Sequence, residues 1–259
     1  MMFAVSYSSL AYTSNGIDEL PTKENHSLAG YKHELANDTL TMLEKLPDSD
    51  LTVRTAKYQG MQRNAVKTTR ATAAKKSRAA QTGPAGTNSA VSLHHSFAIY
   101  QGYSELLTDI DADGYYQTFS VSFDADVLSP IIGEQARVYA DLYLSKNGGP
   151  WLLYFSTDDF IITGERTDDE FEVITRLDSG YAPDHYDVLI DLYEVGYSDV
   201  VASYSSNDTN ALYALPLESA DYDPEYVEVI HYDEHGGSVA WGIVLLLFVF
   251  IGRQRSYTA

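Results

Sequence analysis

Alternating apolar and polar positions dominate the middle of this chain. Phe119, Val121 and Phe123 alternate with Thr118, Ser120 and Ser122. Val138, Ala140, Leu142 and Leu144 alternate with Arg137, Tyr139, Asp141, Tyr143 and Ser145. Phe171 and Val173 alternate with Glu170, Glu172 and Ile174, and Val188, Ile190 and Leu192 with Asp187, Leu189, Asp191 and Tyr193. Period two over such runs predicts strands with one buried face. Turn signals separate them at Asp113-Gly114, Asn147-Gly148-Gly149-Pro150, Asp178-Ser179-Gly180 and Ser206-Asn207-Asp208. About seven to nine short strands in this space predict an all-β fold, an antiparallel β-sandwich of Ig-like or jelly-roll-like kind, over 93–218. No helix-period segment of useful length interrupts the pattern, which argues against an open α/β enzyme core.

The flanks read differently. Residues 1–50 form a polar N-terminal region, expected to be disordered apart from one helical stretch over 31–46. There Leu35, Leu40, Leu43 and Leu46 fall near helical spacing and Pro47 stops the run. Residues 51–92 are rich in Ala, Thr, Lys, Arg, Gln and Ser, and Gly83-Pro84-Ala85-Gly86 marks a break. So little apolar bulk does not offset ordering entropy, and the segment reads as a basic low-complexity linker. Residues 219–237 are an acidic spacer. In 238–255, an apolar run from Val239 to Ile251 carries no charge before Arg253 and Arg255. A comfortable span needs about 20 apolar residues. Counting Ser238, Gly242 and Gly252, the run offers about fifteen, or roughly 22 Å of helix. That length predicts a C-terminal hydrophobic helix that lodges in a bilayer through 239–252 with local thinning, the two arginines acting as a stop.

Charge sharpens this division. The chain has no cysteine and a net charge of −20. Residues 1–95 are net +3, residues 96–238 net −25, and the two terminal arginines supply the remaining +2. So acidic a body repels nucleic-acid phosphates and acidic headgroups, so no nucleic-acid partner is expected. The basic residues of 51–92 lack the aromatic interleaving that base stacking requires. Acid before the apolar run and arginine after it place the bulk of the chain outside the cytoplasm. Residues 1–13 read as the rear of a secretory signal, with Ser8-Ser9-Leu10-Ala11 as the remnant of a cleavage region.

One motif carries chemistry. Asp109, Asp111 and Asp113, followed by Gly114, spell D-x-D-x-D-G. Carboxylates at alternate positions wrap a hard cation, glycine permits the turn, and the next residue, Tyr115, offers its backbone carbonyl. Calcium takes six to eight oxygens, and the twelfth loop position is Ser120 instead of the bidentate Glu of an EF-hand. Further oxygens must come from elsewhere, with Asp124 and Asp126 the nearest candidates. The alternative is an acidic turn held by side-chain-to-backbone hydrogen bonds. Other patterns are weaker. His231 to His235 spell H-x-x-E-H, but in a polar stalk instead of a catalytic helix. His94 and His95 are adjacent, so on a strand they face opposite sides. His185, just before a strand, reads as solvated. Asp158-Asp159 and Asp168-Asp169-Glu170 mimic a glycosidase acid pair but fit charged loop faces more simply. Trp151 with Tyr154 suits a sugar platform, though a tryptophan between sheets is the commoner role. No nucleophile elbow or phosphate-cradling loop occurs.

Two resemblances follow from these residues. Gly236, Gly237 and Ser238, then Trp241-Gly242, the leucine-rich run, and Arg253 and Arg255, resemble the GlyGly-CTERM sorting signal of Gram-negative bacteria. It implies cleavage at the glycine hinge by a rhombosortase-type protease. Handover to the type II secretion machinery follows, with transient residence in the inner membrane and a final place on the cell surface or outside the cell. The basic cluster here is thinner than in that pattern, and a short tail follows it. Residues 109–116, 119–126, 136–145, Gly149-Pro150-Trp151 and 175–181 resemble the choice-of-anchor H family of bacterial surface domains. This likeness implies an exported, surface-linked domain and no particular activity. The expectation is a non-catalytic binding or adhesion module. The alternatives are a secreted hydrolase with acidic catalytic residues and an uncleaved tail-anchored membrane protein.

Overall fold

The structure, a computed structural model, describes residues 23–35, 52–81 and 95–224. Among these residues no helix is long and apolar enough to cross a membrane. The expected signal remnant, the hinge at Gly236, Gly237 and Ser238, the run 239–252, Arg253, Arg255 and the H-x-x-E-H pattern all lie outside the described residues.

Among the described residues, ten strands form two antiparallel sheets. The first runs in the order β1 (Glu24–Tyr31), β7 (Phe171–Ser179), β3 (Thr118–Leu128), β2 (Ser96–Thr108). The second runs β10 (Leu215–Leu217), β8 (Asp184–Glu194), β4 (Gln135–Lys146), β5 (Leu152–Ser156), with β6 (Phe160–Thr163) also paired to β4 and β9 (Val200–Ser205) to β8. The alternation sets which faces meet. Phe119, Val121 and Phe123 of β3 and Phe171 and Val173 of β7 share one buried core with Val138, Ala140 and Leu142 of β4 and Val188, Ile190 and Leu192 of β8. Each of these side chains other than Ala140 contributes about 1.5–3 kcal/mol of burial. Phe160 and Phe171 stack at 3.9 Å between centroids, joining the sheets at one end.

Two flanking regions differ from their sequence reading. Residues 24–31, placed in the polar N-terminal region, form β1, which pairs with β7 from Asn25↔Leu177 to Tyr31↔Phe171. The predicted helix over 31–46 therefore does not begin at Tyr31, and 36–46 lies outside the described residues. The backbone ladder of an edge strand satisfies this mostly polar segment without a large apolar face. The linker reading of 51–92 is also corrected. It contains α1 (Val53–Tyr58) and α2 (Arg63–Gln81), laid on the outer face of the six-stranded sheet. Thr52 caps α1 by accepting from the Thr55 N–H at 3.1 Å. Apolar contact is modest: Tyr58 and Val66 meet Tyr143, Leu153 and Leu189, with Met61 and Trp151 against them. Backbone bonds tie the turn between the helices to β5, from the Gly60 N–H to Leu153 at 2.8 Å and from the Leu153 N–H to Met61 at 3.0 Å, and ion pairs fasten α2 to β4 and β8. Arg63 donates to both oxygens of Asp191 at 2.7 and 2.6 Å, and Arg70 donates to Asp141 at 2.8 Å. The polar positions of β4 and β8 thus form a second buried layer instead of a wet face.

Candidate metal centre

The loop between β2 and β3 opens where Thr108 pairs with Thr118. Its three aspartates fold the chain around themselves. The Asp113 N–H donates to Asp111 Oδ1 at 3.1 Å, the Gly114 N–H to Asp109 Oδ2 at 3.0 Å and the Tyr115 N–H to Asp113 Oδ1 at 2.8 Å. Ala112 (φ 59°) and Gly114 (φ 97°) both adopt the left-handed conformation, which is what turns alternate carboxylates to one side. Asp109, Asp111 and Asp113 each bring one oxygen into a common group within 4.8 Å. The Tyr115 ring packs edge-on against exposed His185, with centroids 6.2 Å apart.

A distant stretch completes the cluster. After β10 the Glu218 N–H donates to Tyr116 at 3.2 Å, the Ser219 N–H to Tyr181 at 2.9 Å and the Ala220 N–H to Leu177 at 2.8 Å. This path sets Glu218 and Asp223 against the loop. Asp111, Glu218 and Asp223 form a second group within 4.8 Å. Asp223 accepts from the N–H groups of Ile110 and Asp111 at 2.8 Å. Glu218 has no such support: it is 0% exposed, and neither carboxylate oxygen finds a hydrogen-bond donor among the described residues. Asp109 Oδ1 is likewise buried and unpartnered. Burial, and then the charges of Asp113, Asp223, Asp111 and Asp109, push the Glu218 carboxyl up to about 7.

A buried carboxylate without donors is costly unless it is neutralised or paired. Glu218 is an orphaned group that a cation would satisfy. The two groups share Asp111, and among the described residues every member is a carboxylate. That set suits a hard, oxygen-seeking ion such as calcium and not a softer metal.

Asp124 and Asp126 do not belong to this cluster. In the β2–β3 register they sit opposite Gln101 and Ala98, far from the Thr108↔Thr118 end. Six residues of strand separate Asp124 from Thr118, about 20 Å. The Tyr100 hydroxyl donates to Asp124 instead. Burial first, then Asp124, Glu165 and Asp169, hold Asp126 up to about 6. Its folded value lies above the unfolded one, so the protonated form favours folding. That contribution is whole below the unfolded value and is lost as pH rises through about 6. Asp126→Asn should therefore raise the melting temperature at pH 8 by roughly 2–4 °C, for a gain of about 1 kcal/mol. The gain should vanish near pH 4, and thermal scans at the two pH values check it.

The other candidates disperse. His95 sits between Glu194 (2.6 Å) and Glu134 (3.2 Å) and ties strand ends together. Asp159 holds Arg54 and Arg137, and Asp168 holds Arg166. Trp151 packs under α2 while Tyr154 lies in the main core, so they share no platform. Sequence reasoning missed Glu218, the last residue of the expected sandwich at 93–218, and Asp223, which falls within the expected spacer at 219–237. The described fold runs on to residue 224.

No protein-family model matches the chain, and no curated protein matches it. Among solved structures, a conjugative transposon lipoprotein from Bacteroides eggerthii is similar at 9% identity and a TM-score of 0.21, covering 43% of this chain and 95% of that one. Likeness at that level carries no argument about fold or role.

Proposed function

We propose that this chain is an exported, surface-associated, non-catalytic β-sandwich whose fold is completed by calcium and whose role is binding or adhesion. The observation that carries the reading is Glu218: a fully buried, donorless carboxylate grouped within 4.8 Å with Asp111 and Asp223, where Asp111 also belongs to the group of Asp109 and Asp113. When bound, the cation supplies charge neutralisation and cross-links two remote segments. With Asp111 and Asp113 open to water, the affinity expected is that of extracellular modules, about 0.1–1 mM. Such a site fills outside cells and stands empty in a cytoplasm. In a chain without cysteine, the ion takes the stapling role that disulfides serve elsewhere. The C-terminal pattern at Gly236, Gly237, Ser238, Arg253 and Arg255 supports the same destination by way of a rhombosortase-type protease and type II secretion. The hydrolase alternative draws less support, because one member of each acid run is engaged with arginine, Asp159 with Arg54 and Arg137 and Asp168 with Arg166.

Titration calorimetry and thermal scans test this. Calcium should bind once per chain and raise the melting temperature, and Asp111→Ala should remove most of the rise. An unchanged melting temperature in millimolar calcium would reject the reading.

A further inference from the structure

We infer that the cation is a clasp on the exit of the domain: it fastens residues 218–224 to the β2–β3 loop and so fixes the point from which the chain continues toward its C-terminus. The inference rests on the calcium reading above and adds what the ion governs.

Two unequal kinds of attachment hold this end of the fold. Up to Leu217 the chain is anchored by burial. Leu215 and Leu217 enter the main core, and β10 pairs with β8 from Leu215↔Tyr186 to Leu217↔Asp184. Beyond Leu217 apolar anchoring stops. Residues 218–224 contribute no side chain to the core and are held by a few backbone hydrogen bonds, the Asp223 caps on Ile110 and Asp111, and Ser219. The Ser219 hydroxyl accepts from the Tyr181 N–H at 2.9 Å. Against those bonds stands the repulsion of Glu218 and Asp223 from Asp109, Asp111 and Asp113.

The sign of the balance follows from position. The loop carries three of the carboxylates and the exit segment two, so a cation in the cluster bridges the segments, and without it like charges face each other across the same gap. The relief of least cost is local. Residues 218–224 can lift away without disturbing the Phe119–Val121–Phe123 core, because their buried side chains, Glu218, Ser219 and Asp223, are polar and none packs into that core, and a segment without apolar anchoring opens independently of the global fold. Ala112 and Gly114 remain turned by bonds internal to the loop, so the loop keeps its shape while losing the caps on Ile110 and Asp111.

Hydrogen exchange of the full chain, read by mass spectrometry in calcium and in chelator, tests the clasp beside calorimetry on the same sample. Calcium should slow exchange about tenfold or more at the amides of Ile110, Asp111, Ser219 and Ala220, while amides of β3 and β8 keep their rates. Chymotrypsin cleavage after the exposed Tyr222 should slow in parallel. Glu218→Gln should abolish the calcium effect on these amides. If that variant does not fold, Asp223→Asn, which keeps one acceptor oxygen, serves instead. Calcium binding with uniform slowing, or with slowing confined to the loop, overturns the clasp and leaves the calcium reading intact. No heat of binding overturns both.

Discussion

Arg70→Met should cost about 3–5 kcal/mol of stability, enough to unfold much of the population at temperatures where the parent chain is native. Arg70 is 7% exposed and lies between the rings of Tyr58, Tyr139 and Tyr193 at 4.7–4.8 Å. Its Nη2 donates to Asp141, which is 0% exposed and also accepts from Ser156 Oγ at 2.7 Å and the Tyr143 hydroxyl at 3.2 Å. Burial, opposed by Arg70, leaves the Asp141 carboxyl at about 6. Methionine would take away the partner that holds it charged, so the carboxyl would have to stay buried as an unpaired charge or take up a proton, and either costs stability. The compensating test is the pair Arg70→Met with Asp141→Leu. An apolar pair of similar volume should recover most of the loss, because both desolvation penalties disappear together. Urea unfolding curves of the parent, the single and the double variants measure the three stabilities. A single variant within 1 kcal/mol of the parent would mean that α2 is not integral to the fold.

That pair also explains why half of this molecule was legible in the sequence and half was not. The strands of the shared core announce themselves, since Phe119, Val121 and Phe123 bury one face by the hydrophobic effect alone, and period two records it. Residues 51–92 misled because their helix docks by charge. Arg63, Lys67 and Arg70 recur at i, i+4 and i+7, on the face that meets Asp191 and Asp141. The complementary signal lay in β4 and β8, whose supposedly wet positions read Tyr139, Asp141, Tyr143 and Asp191, Tyr193. Tyrosine and aspartate in alternation look solvent-facing until a basic helix covers them. For the candidate site, the loop's three aspartates were legible because neighbours in sequence are neighbours in space. Glu218 and Asp223 follow them by more than a hundred positions, and they come close through the pairing of β10 with β8 and the backbone bonds of 218–220 to Tyr116, Tyr181 and Leu177. Nearness in sequence pointed to Asp124 and Asp126, and the rigid length of β3 carries those away.

Glu218→Gln should change sign with calcium. In chelator at pH 8 the variant should be more stable than the parent, and in saturating calcium less stable. The first half follows from burial without donors. A carboxyl held at about 7 instead of its ordinary 4.5 disfavours its charged form, by about 1–3 kcal/mol at pH 8 once solvent screening is allowed for. The sign agrees with linkage: a folded value above the unfolded one gives stability that is complete below about 4.5 and lost as pH rises through about 7. Glutamine carries no charge to lose, and its N–H groups face Asp109, Asp111, Asp113 and Asp223, so part of that penalty is returned as stability. The second half follows from mass action. An ion that binds only the folded chain adds about 2.7 kcal/mol at a hundred times its dissociation constant, and the parent alone should collect it in full. Removing Glu218 weakens the site, because buried Asp223 is already engaged by the N–H groups of Ile110 and Asp111, and Asp109, Asp111 and Asp113 are partly or fully open to water. Paired thermal scans with calcium and with chelator should therefore cross, each half displaced by roughly 4–10 °C. If glutamine were destabilising in both conditions, Glu218 would be a packing residue with an unseen partner, and the case for an ion at this cluster would fail with it.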